Sequence, residues 1–141
     1  MIILQQEQFN LGLATCSRNK NLSTPTYLWS IRHKLSNQSW KFIPKRVESD
    51  LSYKAPYDLF EIAIYGGQPE NYIYSGDNYV NLHLIEGEYY LKIYEQVSTT
   101  NLDPTLTYDT VYEGLLIVKT DTPTEEIKYS GSSDVFIIYN S

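Results

Sequence analysis

The sequence predicts an all-β fold, an Ig-like antiparallel sandwich of about eight strands in one domain spanning residues 1–141. Three observations carry this. Apolar residues recur with period two rather than 3.6. Turn-forming residues interrupt these runs at the roughly 8–12-residue spacing of a sandwich or barrel. Tyrosine is unusually abundant, 14 against 4 Phe and 2 Trp in 141 residues, and aromatic residues favour half-buried pleated surfaces.

The strands follow in order. Residues 9–16, 27–33 and 40–43 form the early runs. Leu59 and Phe60 lead into Ile62 and Ile64, which alternate with Glu61 and Ala63. Val80, Leu82 and Leu84 alternate with Asn81 and His83. Tyr89, Leu91 and Ile93 face one way, and Tyr90, Lys92 and Tyr94 the other. Residues 113–119 and 135–139 are apolar on both faces, as buried strands are. A polar loop at 19–25 and the Gly66, Gly67, Gln68, Pro69 break separate them. Ser75, Gly76, Asp77 and Asn78 read as a hairpin turn, and Pro104 ends a strand because it lacks a donor. A short helix at 121–128 is weakly indicated.

One local pattern is more specific. Leu82, Leu84, Gly87, Tyr89 and Leu91 are spaced as in a tyrosine corner. In Ig-like sandwiches that tyrosine opens a central strand and its hydroxyl bonds back to upstream backbone. Gly87 and Tyr89 are therefore the expected structural corner, and Leu91 stands where antibody domains place a cysteine. The alternative is that Gly87 is only a turn residue.

Charge bounds the function. The net charge is −6, but residues 1–50 hold seven Lys/Arg and three Asp/Glu, whereas residues 51–141 hold four and fourteen. An acidic total argues against nucleic acid as partner, since phosphate affinity needs clustered cations. The asymmetry permits head-to-tail contact between copies or docking on an acidic surface. No apolar run approaches the roughly 20 residues of a membrane span. Cys16 is the single cysteine, so no intrachain disulfide or CxxC site forms, and a buried inert thiol is expected. The first residues lack a basic n-region and a cleavage site, so synthesis in the cytoplasm is expected.

Little in the sequence points to catalysis, and no cofactor or metal is expected. His33 and His83 lie far apart, each in a strand pattern, with no spacing that converges them on a carboxylate. No GxSxG or phosphate loop occurs. Glu86 and Glu88 flank a strand entrance, where exposed charge is ordinary, and Asp77 with Asn78 fits a turn better than a calcium loop. The tyrosines fit plain strand packing, a protein interface or stacking on sugar rings.

Two stretches carry a family resemblance. The first is 22–29 (LSTPTYLW), continuing through His33. The second begins at 86–96 (EGEYYLKIYEQ), continues through 98–104 (STTNLDP), and closes with Glu113, Gly114, Leu116 and Val118. The 135–140 run (VFIIYN) also fits. Together they resemble small virion structural proteins of tailed bacteriophages, most closely those of crAss-like phages and other phages of Bacteroidetes. The most specific part is Tyr94, Glu95, Gln96 through Pro104. The resemblance implies a non-enzymatic β-sandwich located in the virion, an auxiliary or decoration protein of the capsid. It would be present in multiple copies and bind the major capsid protein or other virion proteins. Where the family has Arg-Tyr before the strand at Leu59, this chain has Pro56 and Tyr57, so a contact made by that arginine would be absent. Candidate interface residues are Trp29, Trp40, Tyr53 and Tyr57, with core packing the competing role for both Trp. A neck or tail position, or a carbohydrate-binding module for host attachment, are the alternatives. The glycan alternative expects a coplanar set of exposed Tyr rings. A small enzyme is the weakest reading and expects a cleft joining a His to a carboxylate.

Overall fold

The computed structural model describes residues 1–16, 21–23, 25–47 and 58–120. Among these, eight strands form two sheets: β1 Ile2–Gln5, β2 Phe9–Ala14, β3 Thr26–His33, β4 Ser39–Phe42, β5 Lys45–Val47, β6 Asp58–Ala63, β7 Gly87–Gln96 and β8 Asp109–Lys119. The larger sheet has the order β1-β8-β7-β3-β4 and the smaller β2-β6-β5. All pairings are antiparallel except β1 with β8. Taking strands two to eight as B, C, C′, D, E, F and G, the partition is B-E-D against G-F-C-C′, that of an Ig-like sandwich.

Alternation sets which face is buried. On β7, Tyr89, Leu91 and Ile93 point inward while Glu88, Tyr90 and Lys92 face solvent. On β3, Tyr27, Trp29, Ile31 and His33 are the inward set. They meet Phe60 and Ile62 of β6, with Trp29 edge-on to Phe60 at 5.0 Å between ring centroids. Ile2 and Leu4 of β1 and Leu116 and Val118 of β8 extend the core. A bulge in the β7/β8 ladder, where Ile93 opposes Tyr112 but Tyr94 opposes Thr110, leaves Val111 as the extra residue, and it is buried.

Three strand expectations change. Val80, Leu82 and Leu84 are buried as their alternation requires, but 80–84 forms only isolated bridges. The reason is Asn81. Its side chain is buried and takes up backbone groups that a ladder would otherwise satisfy: the Tyr65 amide donates to Oδ1 at 2.8 Å, while Nδ2 faces the carbonyls of Tyr65, Gln68 and Pro69. Strands β1 and β5 are additional. Both are short edge strands, held by pairing to β8 and β6 rather than by any strong local pattern. The expected strand at 135–139 and helix at 121–128 lie outside the described residues.

Candidate functional site

The expected corner residues meet at the start of β7. Gly87 has φ +137°, a conformation L side chains rarely adopt. A Cβ there would lie 2.5 Å from His33 Nε2. Two residues on, the fully buried Tyr89 donates its hydroxyl to the Ile85 carbonyl at 2.6 Å. Burial pushes the Tyr89 phenol up to about 12. His33 closes the same corner: Nε2 lies 3.1 Å from the Glu86 carbonyl, Nδ1 accepts from the Ser36 amide, and the ring packs edge-on to Tyr89.

Trp29 must be corrected as an interface candidate. Its relative exposure is 0 %, and it packs against Phe42 and Phe60 at the centre of the sandwich, leaving no surface for a partner. It occupies the strand-C position where Ig domains bury a tryptophan. Gly12 on β2 lies against it, the indole Cη2 3.5 Å from where a Cβ would stand. Trp40 is half-buried. It covers Tyr89 edge-on, and its indole N–H donates to Glu70 Oε2 at 3.2 Å, so its polar end is used within the molecule. Tyr53 and Tyr57 lie outside the described residues.

The residues marking the family resemblance hold loops. Glu95 on β7 is buried, with 0 % exposure. Its carboxylate accepts the Asn21 amide at 2.9 Å, the Leu22 amide at 3.0 Å and Asn21 Nδ2 at 3.1 Å. Gln96 donates to the Ser98 and Asn101 carbonyls and accepts from Asn101 Nδ2. Asp103 caps the 3-10 turn Pro104–Leu106 by accepting the Thr105 amide and hydroxyl, and those bonds hold its carboxyl below the usual range. The conspicuous Glu-Gln…Asn-Leu-Asp-Pro run thus fixes two loops at one end of the sandwich. Its chemistry is anchoring, since its polar groups bond to chain neighbours.

The β6–β7 connection, 23 residues long, is the longest loop among the described residues, and ordered loops of this length in compact domains are usually functional. Gln68, Glu70, Asn71, Asp77, Asn78 and Tyr79 line a shallow cleft of about 380 Å³. Partial burial works to raise Glu70. Donation from the Tyr72 hydroxyl, the His83 amide and Trp40 outweighs it and lowers the carboxyl. The His83 backbone amide thus sits on the Glu70 carboxylate, while its ring Nε2 lies 2.6 Å from the Gln68 carbonyl. The rings beside the cleft are tilted, Phe9 to Tyr79 by 35° and Tyr65 to Tyr79 by 67°. Among the described residues, no group of three His, Cys, Asp or Glu could hold a metal ion.

A row of solvent-facing apolar side chains starts beside this cleft, at Phe9. On edge strand β2, Phe9, Leu11 and Leu13 all point away from the core and are 42 %, 56 % and 46 % exposed. The register places Leu59 of β6 opposite Leu13 on the same outer face. Nothing in the sequence reasoning singled out this row. Its signal was available, because Phe9, Leu11 and Leu13 share one parity while Gly12 and Ala14, the small residues, take the other. No protein-family model, curated protein or solved structure matches the chain.

Proposed function

We propose that this chain is a non-enzymatic structural component of a bacteriophage virion, an auxiliary or decoration protein of the capsid that binds other virion proteins. The observation that carries the reading is the row Phe9, Leu11 and Leu13 on the outer face of β2. A sandwich face with no partner ordinarily alternates apolar-in with polar-out, and this strand is apolar on its outward side. Contiguous exposed apolar surface marks a protein contact site. The resemblance of 22–33 and 86–118 to phage virion proteins supplies the setting. Many identical copies on one particle let individually weak contacts add.

Within this reading, head decoration is placed ahead of a neck or tail position. The test is quantitative mass spectrometry of purified particles of the encoding phage, scaled to the major capsid protein. Hundreds of copies per particle support head decoration. A dozen or fewer move the protein to the neck or tail. Absence from the particle refutes the virion role and promotes glycan binding.

A further inference from the structure

The five-stranded sheet presents a different chemistry on its outer face. Of the seven Lys and Arg among the described residues, five lie on this side: Arg32, Lys34, Lys41, Lys92 and Lys119. Among the described residues its carboxylates are Glu88, which pairs with Lys34 at 2.9 Å, and Glu113, opposite Lys92 in the ladder, with Asp103 near enough to Lys41 to feel its charge. Among the described residues the face is net positive, in a chain of net charge −6. The register aligns Lys41 of β4 and Lys92 of β7 on either side of Ser30 of β3, one step from Arg32.

At its centre stands Tyr90, 48 % exposed. The Arg32 guanidinium lies 4.7 Å from the ring centroid and the Lys34 ammonium 5.0 Å. Leu115 of β8 is the cross-strand neighbour of Tyr90, and Ile117 pairs with the exposed Ile3 of β1. A rigid aromatic anchor flanked by Arg, with an apolar strip beside it, is the composition of a protein interface rather than of a solvated sheet.

We infer that the outer face of the five-stranded sheet, centred on Tyr90 between Arg32 and Lys34, docks an acidic protein surface. The inference rests on the reading of the chain as a protein-binding module and names a second surface for it, on the sheet opposite β2. Charge complementarity selects the occupant. Nucleic acid fits less well. Single-stranded binders line up several stacking rings along an unbroken cationic track, whereas here Glu88 and Glu113 interrupt the cations and one exposed ring is central. A second copy of this acidic chain is the other candidate, and head-to-tail contact of that kind would be heterologous and open-ended.

The test is an NMR titration of the full chain with three separate samples: a random glutamate–tyrosine copolymer, oligothymidylate of 20 nucleotides, and the protein alone across a concentration series by sedimentation. The expected result is copolymer-induced shifts centred on Tyr90, Lys92 and Leu115. Affinity should fall at least tenfold between 50 and 300 mM salt, as screening of exposed charges requires. The double variant R32S/K92S should bind at least tenfold more weakly with an otherwise native spectrum, and Tyr90→Ala should do the same without changing charge. Equal or tighter oligothymidylate binding on this face overturns the inference in favour of nucleic acid. Concentration-dependent association abolished by R32S/K92S overturns it in favour of a second copy. Absence of shifts on this face, or binding unaffected by both variants, overturns it outright. Loss of the protein from particles with copolymer binding intact would refute the virion setting and leave the docking face standing.

Discussion

Replacing Glu95 by Gln tests whether the resemblance motif is a structural anchor. The native carboxylate is fully buried and accepts from two backbone amides and one side-chain amide, at 2.9 to 3.1 Å. Gln keeps the size and shape but offers only one acceptor oxygen, and its NH₂ faces a donor. Bonds to a charged acceptor contribute about 1.5–3 kcal/mol each and neutral ones about 0.5–1.5. Two bonds weakened by about 1 kcal/mol each and one lost at about 2 kcal/mol come to roughly 4 kcal/mol. Part of this is offset because a neutral amide is easier to bury than a carboxylate, leaving a net loss of about 2 kcal/mol. For a domain near this size that lowers Tm by roughly 5–10 °C. Differential scanning calorimetry and urea unfolding measure the loss. Hydrogen exchange at the Asn21 and Leu22 amides localises it, since these donors lose their acceptor. A stability change below about 0.5 kcal/mol, or unchanged exchange at both amides, would show that Glu95 does not anchor the 21–22 segment.

Other outcomes follow from the corner and the surface. Gly87→Ala combines backbone strain at φ +137° with a Cβ driven into His33, so it should destabilise by about 2–4 kcal/mol in chemical unfolding. Tyr89→Phe removes the hydroxyl that satisfies Ile85 and should cost about 1–1.5 kcal/mol by the same measurement. The Tyr89 phenol is raised to about 12 in the folded chain against 10 in the unfolded one, so the unfolded state releases its proton first. Stability from this group is fully present below pH 10 and is lost as pH rises from 10 to 12, and the Phe variant should lack this part of the alkaline decline in a pH series of unfolding curves. L11S with L13S should leave Tm within roughly 2 °C, since both side chains are exposed, yet reduce binding to particles depleted of the native protein at least tenfold in a pelleting assay. Undiminished pelleting would remove β2 from the contact.

The sequence by itself determined the parts of this protein that water acts on locally. Period-two alternation assigns Tyr89, Leu91 and Ile93 to the core and Tyr90 and Lys92 to solvent, because successive strand residues face opposite sides whatever the sheet order. It also makes Tyr27, Trp29 and Ile31 one parity on β3, and that parity is the signal that Trp29 belongs inside. The positions misjudged from the sequence are those whose partners are distant along the chain. Strand β1 exists because Ile2 through Gln5 pair in parallel with Leu116 through Lys119. Asn81 looks like an outward residue of an alternating strand, yet its amide is buried in the loop carbonyls 12 to 16 residues earlier. The burial of Glu95, of which the sequence says nothing, depends on the segment 74 residues upstream folding over it. Gathering the cations around Tyr90 likewise needs β3, β7 and β8 side by side. Those relations are set by which sheets pack and in what order. Closing such long loops costs entropy that only the assembled core and its buried hydrogen bonds offset, so no short window of sequence carries them.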